Sequence, residues 1–180
     1  MGEEVVVSTP DNPVPADLIK INLTPGETEF QDFVNLGFNV KKYPWPLAAN
    51  TVDEARCNNY LHKLDGPELV EFMNELYRVL KPSKGAMVSV PFGFSVKGLT
   101  DPFAKRLLVA DSFFPFDAEY RKVNGYVGGV YDKIATNFEV SFPSSNVDTM
   151  LMTRNFETQQ WMSRHLVNAV HDLIVQVVKK

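Results

Sequence analysis

The side chains with chemistry to offer are few: three histidines, one cysteine and a handful of carboxylates in suggestive places. His165 and His171 are six residues apart, about 240° around a helix, so they cannot converge on a metal as an i, i+4 pair does. His62 stands far from both. Each histidine reads as a surface or partly buried polar residue, and no metal site is assigned. Cys57 is the single cysteine and lies in an apolar run with no identifiable histidine partner. It reads as a buried structural thiol rather than a nucleophile. Asp53 and Glu54 are adjacent, and in a strand neighbours point to opposite faces, so they cannot form an acid–base dyad. Asp101 precedes Pro102, a pattern that suits a helix cap better than a general base. Trp45 and Phe92 could bracket a flat ring, although buried aromatics more often simply pack. No catalytic residue is assigned.

These residues are carried by elements that read most clearly over residues 52–92. VDEARC reads as a short buried strand, GPELVEFMNELYRVL as an amphipathic helix, KPSKG as a turn and AMVSVPF as a second buried strand. Asp65 and Gly66 are cap candidates, Pro67 needs no N–H in the first turn, and Glu68 suits the positive end of the helix dipole. Leu69, Phe72, Met73, Leu76 and Leu80 recur at helical spacing. Pro82 is expected to stop the helix and Gly85 to turn the chain back. A strand, a crossover helix and a strand in this order make a parallel unit, which places the chain in the α/β class.

Around this unit, residues 1–16 hold Pro10, Pro13 and Pro15 among polar residues and read as an extended arm. DLIKINL (17–23) and FVNLGFNV (33–40) read as the first two strands, and the nine residues between them are too few for an ordinary crossover helix. A Pro-broken aromatic connection, KKYPWPLAANT, leads into the central unit. Beyond Phe92, aromatics crowd a linking region with an expected helix from Asp101-Pro102 to about Ala110 and a turn or two over 117–122. Residues 134–142 and 148–156, joined by PSSN, read as an antiparallel hairpin. From Thr158 on, helical spacing puts Leu166, Ala169, Val170, Leu173, Ile174, Val177 and Val178 over about half of a helix surface, an arc wide for a helix lying on one surface. That expected C-terminal helix, 157–180, packs into a groove of its own domain or serves as an interface with a partner or a second copy.

At 180 residues the chain is long enough for one domain with a real core, and its 44% hydrophobic and 22% charged residues are ordinary for a globular protein. A net charge of −4 leaves no excess of Lys and Arg to displace counterions, which argues against nucleic acid as the main partner. No apolar stretch approaches membrane-spanning length and no signal segment is visible, so a cytoplasmic location is expected.

The run INLTPG, then FVNLGF, YPWPLAANTVDEARCNNYLHKL, ELYRVLKPSKG and SVPF resembles the small class I S-adenosylmethionine-dependent methyltransferases. DPFAKRLL and SFFPFD are similar to the Asp-Pro-Thr-His-x-Arg and aromatic segments of several members. The resemblance spans about 18–156 and implies a trimmed Rossmann-like sheet, mostly parallel with an antiparallel C-terminal hairpin, that binds S-adenosylmethionine at the C-terminal ends of its strands. It places Thr24 and Gly26 in the first turn, Asn35 and Gly37 at the ribose position and Asn58 at the edge after the next strand. The chain departs from the pattern at several of these positions. Thr24 and Pro25 stand in the glycine-rich turn, Gly37 where a ribose-binding acid is usual, His62-Lys63 where Glu-His is usual and Ala104 where His is usual. No Asp or Glu occurs between Phe33 and Val52, so the charged acceptor for the ribose hydroxyls is missing. Together these imply cofactor binding that is weakened or lost. Two functions follow: a trimmed methyltransferase acting on an unknown methyl acceptor, catalysing mainly by alignment, or an inactive methyltransferase-fold module for binding or assembly.

Overall fold

The computed structural model describes residues 18–24, 30–36 and 39–180. The arm expected over 1–16 lies outside the described residues, as do Gly26 and Gly37. Among the described residues six strands form one sheet: β1 (Lys20–Asn22), β2 (Val34–Asn35), β3 (Val52–Asn58), β4 (Leu80–Pro91), β5 (Phe138–Val147) and β6 (Val170–Lys179), in the spatial order β2-β1-β3-β4-β6-β5. Pairs β2/β1, β1/β3 and β3/β4 are parallel, whereas β6 runs antiparallel to both β4 and β5. The α/β class and the mostly parallel sheet with an antiparallel C-terminal pair are as the sequence predicts.

The expected central unit is present as β3, helix α1 (Gly66–Val79) and β4. Helix α1 starts where the signals place it. The Asp65 carboxylate accepts the Glu68 N–H at 2.9 Å, and Glu68 accepts the Asp65 N–H at 2.8 Å, closing a capping box. Leu69, Phe72, Met73, Leu76 and Val79 are buried on one face. Val79 is followed at once by strand, with Leu80 opposite Val52. The expected turn KPSKG is instead an irregular start to β4, where the register slips between Val52 and Glu54. Ser83, with φ of 61°, makes the local bend, and Gly85 is ladder-paired with Glu54 and Val178. The need for glycine at 85 is steric: a Cβ there would lie 2.5 Å from the Val177 carbonyl oxygen.

The C-terminal third differs from the reading of the sequence. Residues 157–180 are not one helix: α5 (Phe156–His165) ends at Leu166, and β6 follows after Asn168, whose φ is 64°. The half-cylinder of apolar residues is the projection of a strand with one buried face and one partly covered face. Val170, Leu173, Val175 and Val177 are buried, and the β-branched content of VHDLIVQVVK favours the pleat. With β6 taken, the partner of β5 is not 148–156. That stretch holds the short helix α4 (Thr149–Met152) and the start of α5, and the antiparallel pair is closed across this 149–165 insertion. An interface through a C-terminal helix therefore has no such helix to use, because the last strand is internal to the sheet. The helix expected from 102 to 110 is also absent. A shorter one, α2 (Val96–Thr100), precedes it, capped by Ser95. Helix α3 (Ala118–Val123) stands where a turn or two was expected, capped by Asp117.

At the opposite end of β3 from the candidate site, Asp53 is tied in by charge. Its Oδ2 lies 2.7 Å from the Lys81 ammonium and accepts the Ile19 N–H at 3.0 Å. The Lys81 bond, with help from that N–H, holds the Asp53 carboxyl below its ordinary pKa. A depressed carboxylate adds stability that is complete above the unfolded value, about 3.9, and is lost as pH falls through the folded value. Asp53→Asn is therefore expected to lower the urea midpoint at pH 7, with the gap to wild type closing below about pH 4. A gap constant from pH 7 to pH 3 would remove the ion pair as its cause.

Candidate functional site

The C-terminal ends of β1, β2 and β3 lie side by side, and three of the residues singled out from sequence meet there. Thr24 follows β1 and is 6% exposed. Its N–H donates to the Asn22 side-chain oxygen at 3.1 Å, and its hydroxyl oxygen accepts the Asn58 N–H at 2.8 Å. Asn35 on β2 accepts a hydrogen bond from the Asn22 amide at 3.0 Å. The hub of this network is Asn22, fully buried at the end of β1, which sequence reasoning missed. The available signal was an Asn inside the otherwise apolar strand pattern INL. A buried amide needs several partners, and here it joins two strand ends. Asn59 continues the edge in the left-handed region at φ of 51°, with its N–H on the Ser89 carbonyl at 2.8 Å and its side-chain oxygen buried without a hydrogen-bond partner among the described residues.

The structure also joins two residues that the sequence kept apart. His62 is 2% exposed, and its Nε2 lies 2.7 Å from Asp101 Oδ2. Asp101 is not the N-cap of a helix after it but the residue that ends α2. Its other oxygen accepts the Phe103 N–H at 2.8 Å, and that bond, followed by the one to His62, lowers the carboxyl's pKa. The His62 carbonyl accepts the N–H groups of Lys105 and Arg106 at 2.9 and 3.1 Å. His62 thus fastens the segment 101–106 across the turn that follows β3. Its Nδ1 is buried and has no partner among the described residues, so the ring presents no nitrogen to solvent for proton transfer. The pair positions a loop.

The remaining candidates are structural. Cys57 is fully buried, and burial pushes its thiol pKa up, away from thiolate chemistry. Tyr60, beside it, is pushed up to about 12, first by burial and then by Cys57 and Glu68. Trp45 packs edge-on against Phe72 and beside Tyr43, whereas Phe92 contacts Phe94, so the two rings do not bracket a common space. His165 stacks on Trp161 within α5. Among the described residues no group of three or more His, Cys, Asp or Glu side chains could hold a metal ion. No described helix is long and apolar enough to cross a membrane.

A separate cleft of about 620 Å³ opens beyond the end of β4, between the aromatic linking region, β5 and α5. Phe92, Phe94, Phe142 and Phe156 line it, and Asp111 and Arg164 stand in its wall. Its size is that of a small-molecule site.

No protein-family model matches this sequence, and no curated protein matches it. Solved structures are similar in shape at low identity. A SAM-dependent methyltransferase from Archaeoglobus fulgidus is 15% identical over 82% of this chain and 68% of its own, with a TM-score of 0.49. The YcgJ protein from Bacillus subtilis is 9% identical over 83% and 72%, with a TM-score of 0.48. An S-adenosylmethionine-dependent methyltransferase from Mesorhizobium loti is 9% identical over 84% and 72%, with a TM-score of 0.44. Likenesses at this level leave chemistry to the site itself. By its strand order, its parallel half and its antiparallel C-terminal pair, the described chain has an α/β fold built on one mostly parallel sheet.

Proposed function

We propose that this chain is a methyltransferase-fold binding module in which the edge for S-adenosylmethionine has given way to internal bonding. The observation that carries the reading is the 2.8 Å bond from the Asn58 N–H to the Thr24 hydroxyl, made by a Thr24 that is 6% exposed. In open α/β sheets the ends of adjacent parallel strands are where a ligand's polar groups are met. Here Asn22, Thr24, Asn35 and Asn58 spend hydrogen-bonding groups on one another. The ribose carboxylate is missing as well, since 33–52 contains no acid. An ionised acceptor contributes roughly 1.5–3 kcal/mol per hydrogen bond, so losing one that takes two ribose hydroxyls weakens binding by orders of magnitude. The residues present do not fit S-adenosylmethionine held in the usual way.

The cleft at the end of β4 favours a second reading, a trimmed methyltransferase with its acceptor under the aromatic segment, because Phe92 borders that cleft from the same sheet edge. Isothermal titration with S-adenosylmethionine and S-adenosylhomocysteine separates the two. No saturable heat at about 1 mM ligand is the expected result. Low-micromolar binding of either would overturn the binding-module reading and restore the enzyme.

A further inference from the structure

We propose that the cleft between α5 and the β5/β6 face binds a small aromatic zwitterion, a molecule with a flat apolar body, one carboxylate and one ammonium group. The cleft shares no lining residue with Asn22, Thr24, Asn35 or Asn58, so its ligand is tested separately from S-adenosylmethionine.

The body is indicated by the walls. Phe92, Phe94, Phe142 and Phe156 come from four places in the chain, namely the end of β4, the segment after it, β5 and the first turn of α5. Phe94 is 47% exposed and Phe156 70% exposed, which is much apolar ring surface for one opening to leave wet. Flat ligands suit such walls because offset or edge-on ring contacts add to the area they bury.

The ends are indicated by the charges. Asp111 and Arg164 line the same cleft from different elements, the turn 110–112 and the last turn of α5. Neither side chain makes a hydrogen bond or ion pair with any described residue, although nearby charges such as Lys97 and Asp172 are paired at 2.7 Å. An unpaired carboxylate and an unpaired guanidinium in the wall of one apolar cleft complement a ligand of two opposite charges. The guanidinium fork takes a carboxylate with two parallel bonds. Gln159, Gln160 and Ser163 on α5 add neutral hydrogen-bonding groups beside it.

The test uses four indole probes on the full chain: indole, tryptamine, indole-3-propionate and tryptophan. Exposed charge pairs contribute up to about 1 kcal/mol each, so two together make the zwitterion bind up to about thirtyfold tighter than neutral indole, with the singly charged probes between. Asp111→Asn should remove the gain due to the amine and leave that due to the carboxylate. Arg164→Gln should do the reverse, and Ser163→Trp, which fills the cleft, should abolish binding of all four while far-UV circular dichroism stays unchanged. Equal affinity for indole and tryptophan would overturn the proposal, as would charge variants without selective effect or no saturation by any probe at about 10 mM. A concentration-dependent dimer in sedimentation that Ser163→Trp dissolves, with no probe binding, would mean that a second copy occupies the cleft, and would also overturn it.

Discussion

Replacing Gly85 with Val should cost the protein about 3 kcal/mol, at the upper end of what overpacking usually does. The position is set by two neighbours at once. Gly85 sits opposite Glu54 of β3 and opposite Val178 of β6, at the seam where the parallel half of the sheet meets the antiparallel half. A Cβ would lie 2.5 Å from the Val177 carbonyl oxygen and 3.2 Å from the Val178 side chain. The carbonyl belongs to a strand held on both sides, so it cannot move aside without breaking the β4/β6 ladder. Ser83, two residues earlier, is the contrasting case: its φ of 61° is the conformation that glycine adopts freely. Ser83→Gly relieves about 1 kcal/mol of left-handed strain and loses a similar amount to chain entropy, leaving stability within about 0.5 kcal/mol of wild type. Urea denaturation of the two variants checks the pair. A Gly85→Val midpoint equal to wild type would mean that the seam is looser than the strand pairing implies.

That contrast also shows what the sequence could and could not disclose. Its pattern KPSKG advertised a glycine turn, and local chemistry alone cannot tell a glycine needed for φ from one needed for space. The unit from β3 through α1 to β4 was legible because its signals are local and agree: a capping box, a helical apolar stripe and short buried strands on either side. The C-terminal third was misread because its deciding information is not local. A strand such as β6, with one buried face and apolar residues also on its partly covered face, carries enough apolar residues to satisfy a helical period as well. Only pairing with β4 on one side and β5 on the other settles it, and β5 is separated from β6 by the α4/α5 insertion.

The candidate site divides in the same way. Thr24, Asn35 and Asn58 were singled out through the resemblance to methyltransferases, and the structure sets them on one edge. Asn22 and the His62–Asp101 pair were missed, since each acts through a partner 13 or 39 residues away. His62 and Asp101 were weighed separately, one as a surface or partly buried polar residue and one as a helix cap. Both are explained by the other: a buried imidazole requires a partner, and Asp101, already fixed by the Phe103 N–H, supplies one. Among the described residues, the departures at Thr24, His62 and Ala104 thus fall where this chain bonds to itself, at a strand end and at the loop that His62 holds.

Glu75→Gln should be the second most damaging of these changes, at about 2 kcal/mol, although Glu75 lies on a helix whose apolar stripe gave no reason to single it out. Glu75 is 8% exposed on α1, with Oε1 accepting the Trp45 N–H at 2.6 Å. Both of its oxygens accept from Arg78, at 2.6 and 2.8 Å, and that guanidinium goes on to the carbonyls of Trp45 and Leu47 at 3.2 and 2.8 Å. The aromatic connection before β3 is therefore fastened to the helix through one carboxylate. Burial pushes the Glu75 pKa up, but the bonds from Arg78 and Trp45 outweigh it and leave the group below its ordinary value. Its contribution is present above about pH 4.3 and declines as pH falls through the lower folded value. The amide can keep one bond to the Trp45 N–H, but it must then turn its own N–H toward a guanidinium that can only donate. Arg78→Met alone should also destabilise, because it leaves the Glu75 charge buried without its partner. The double variant should be less damaged than the sum of the two by about 1 kcal/mol or more, since neither charge is then stranded. Strict additivity in urea denaturation would show that the two side chains do not act as a unit. The strap from Trp45 to Leu47 would then be held by packing of the indole against Phe72 rather than by the carboxylate.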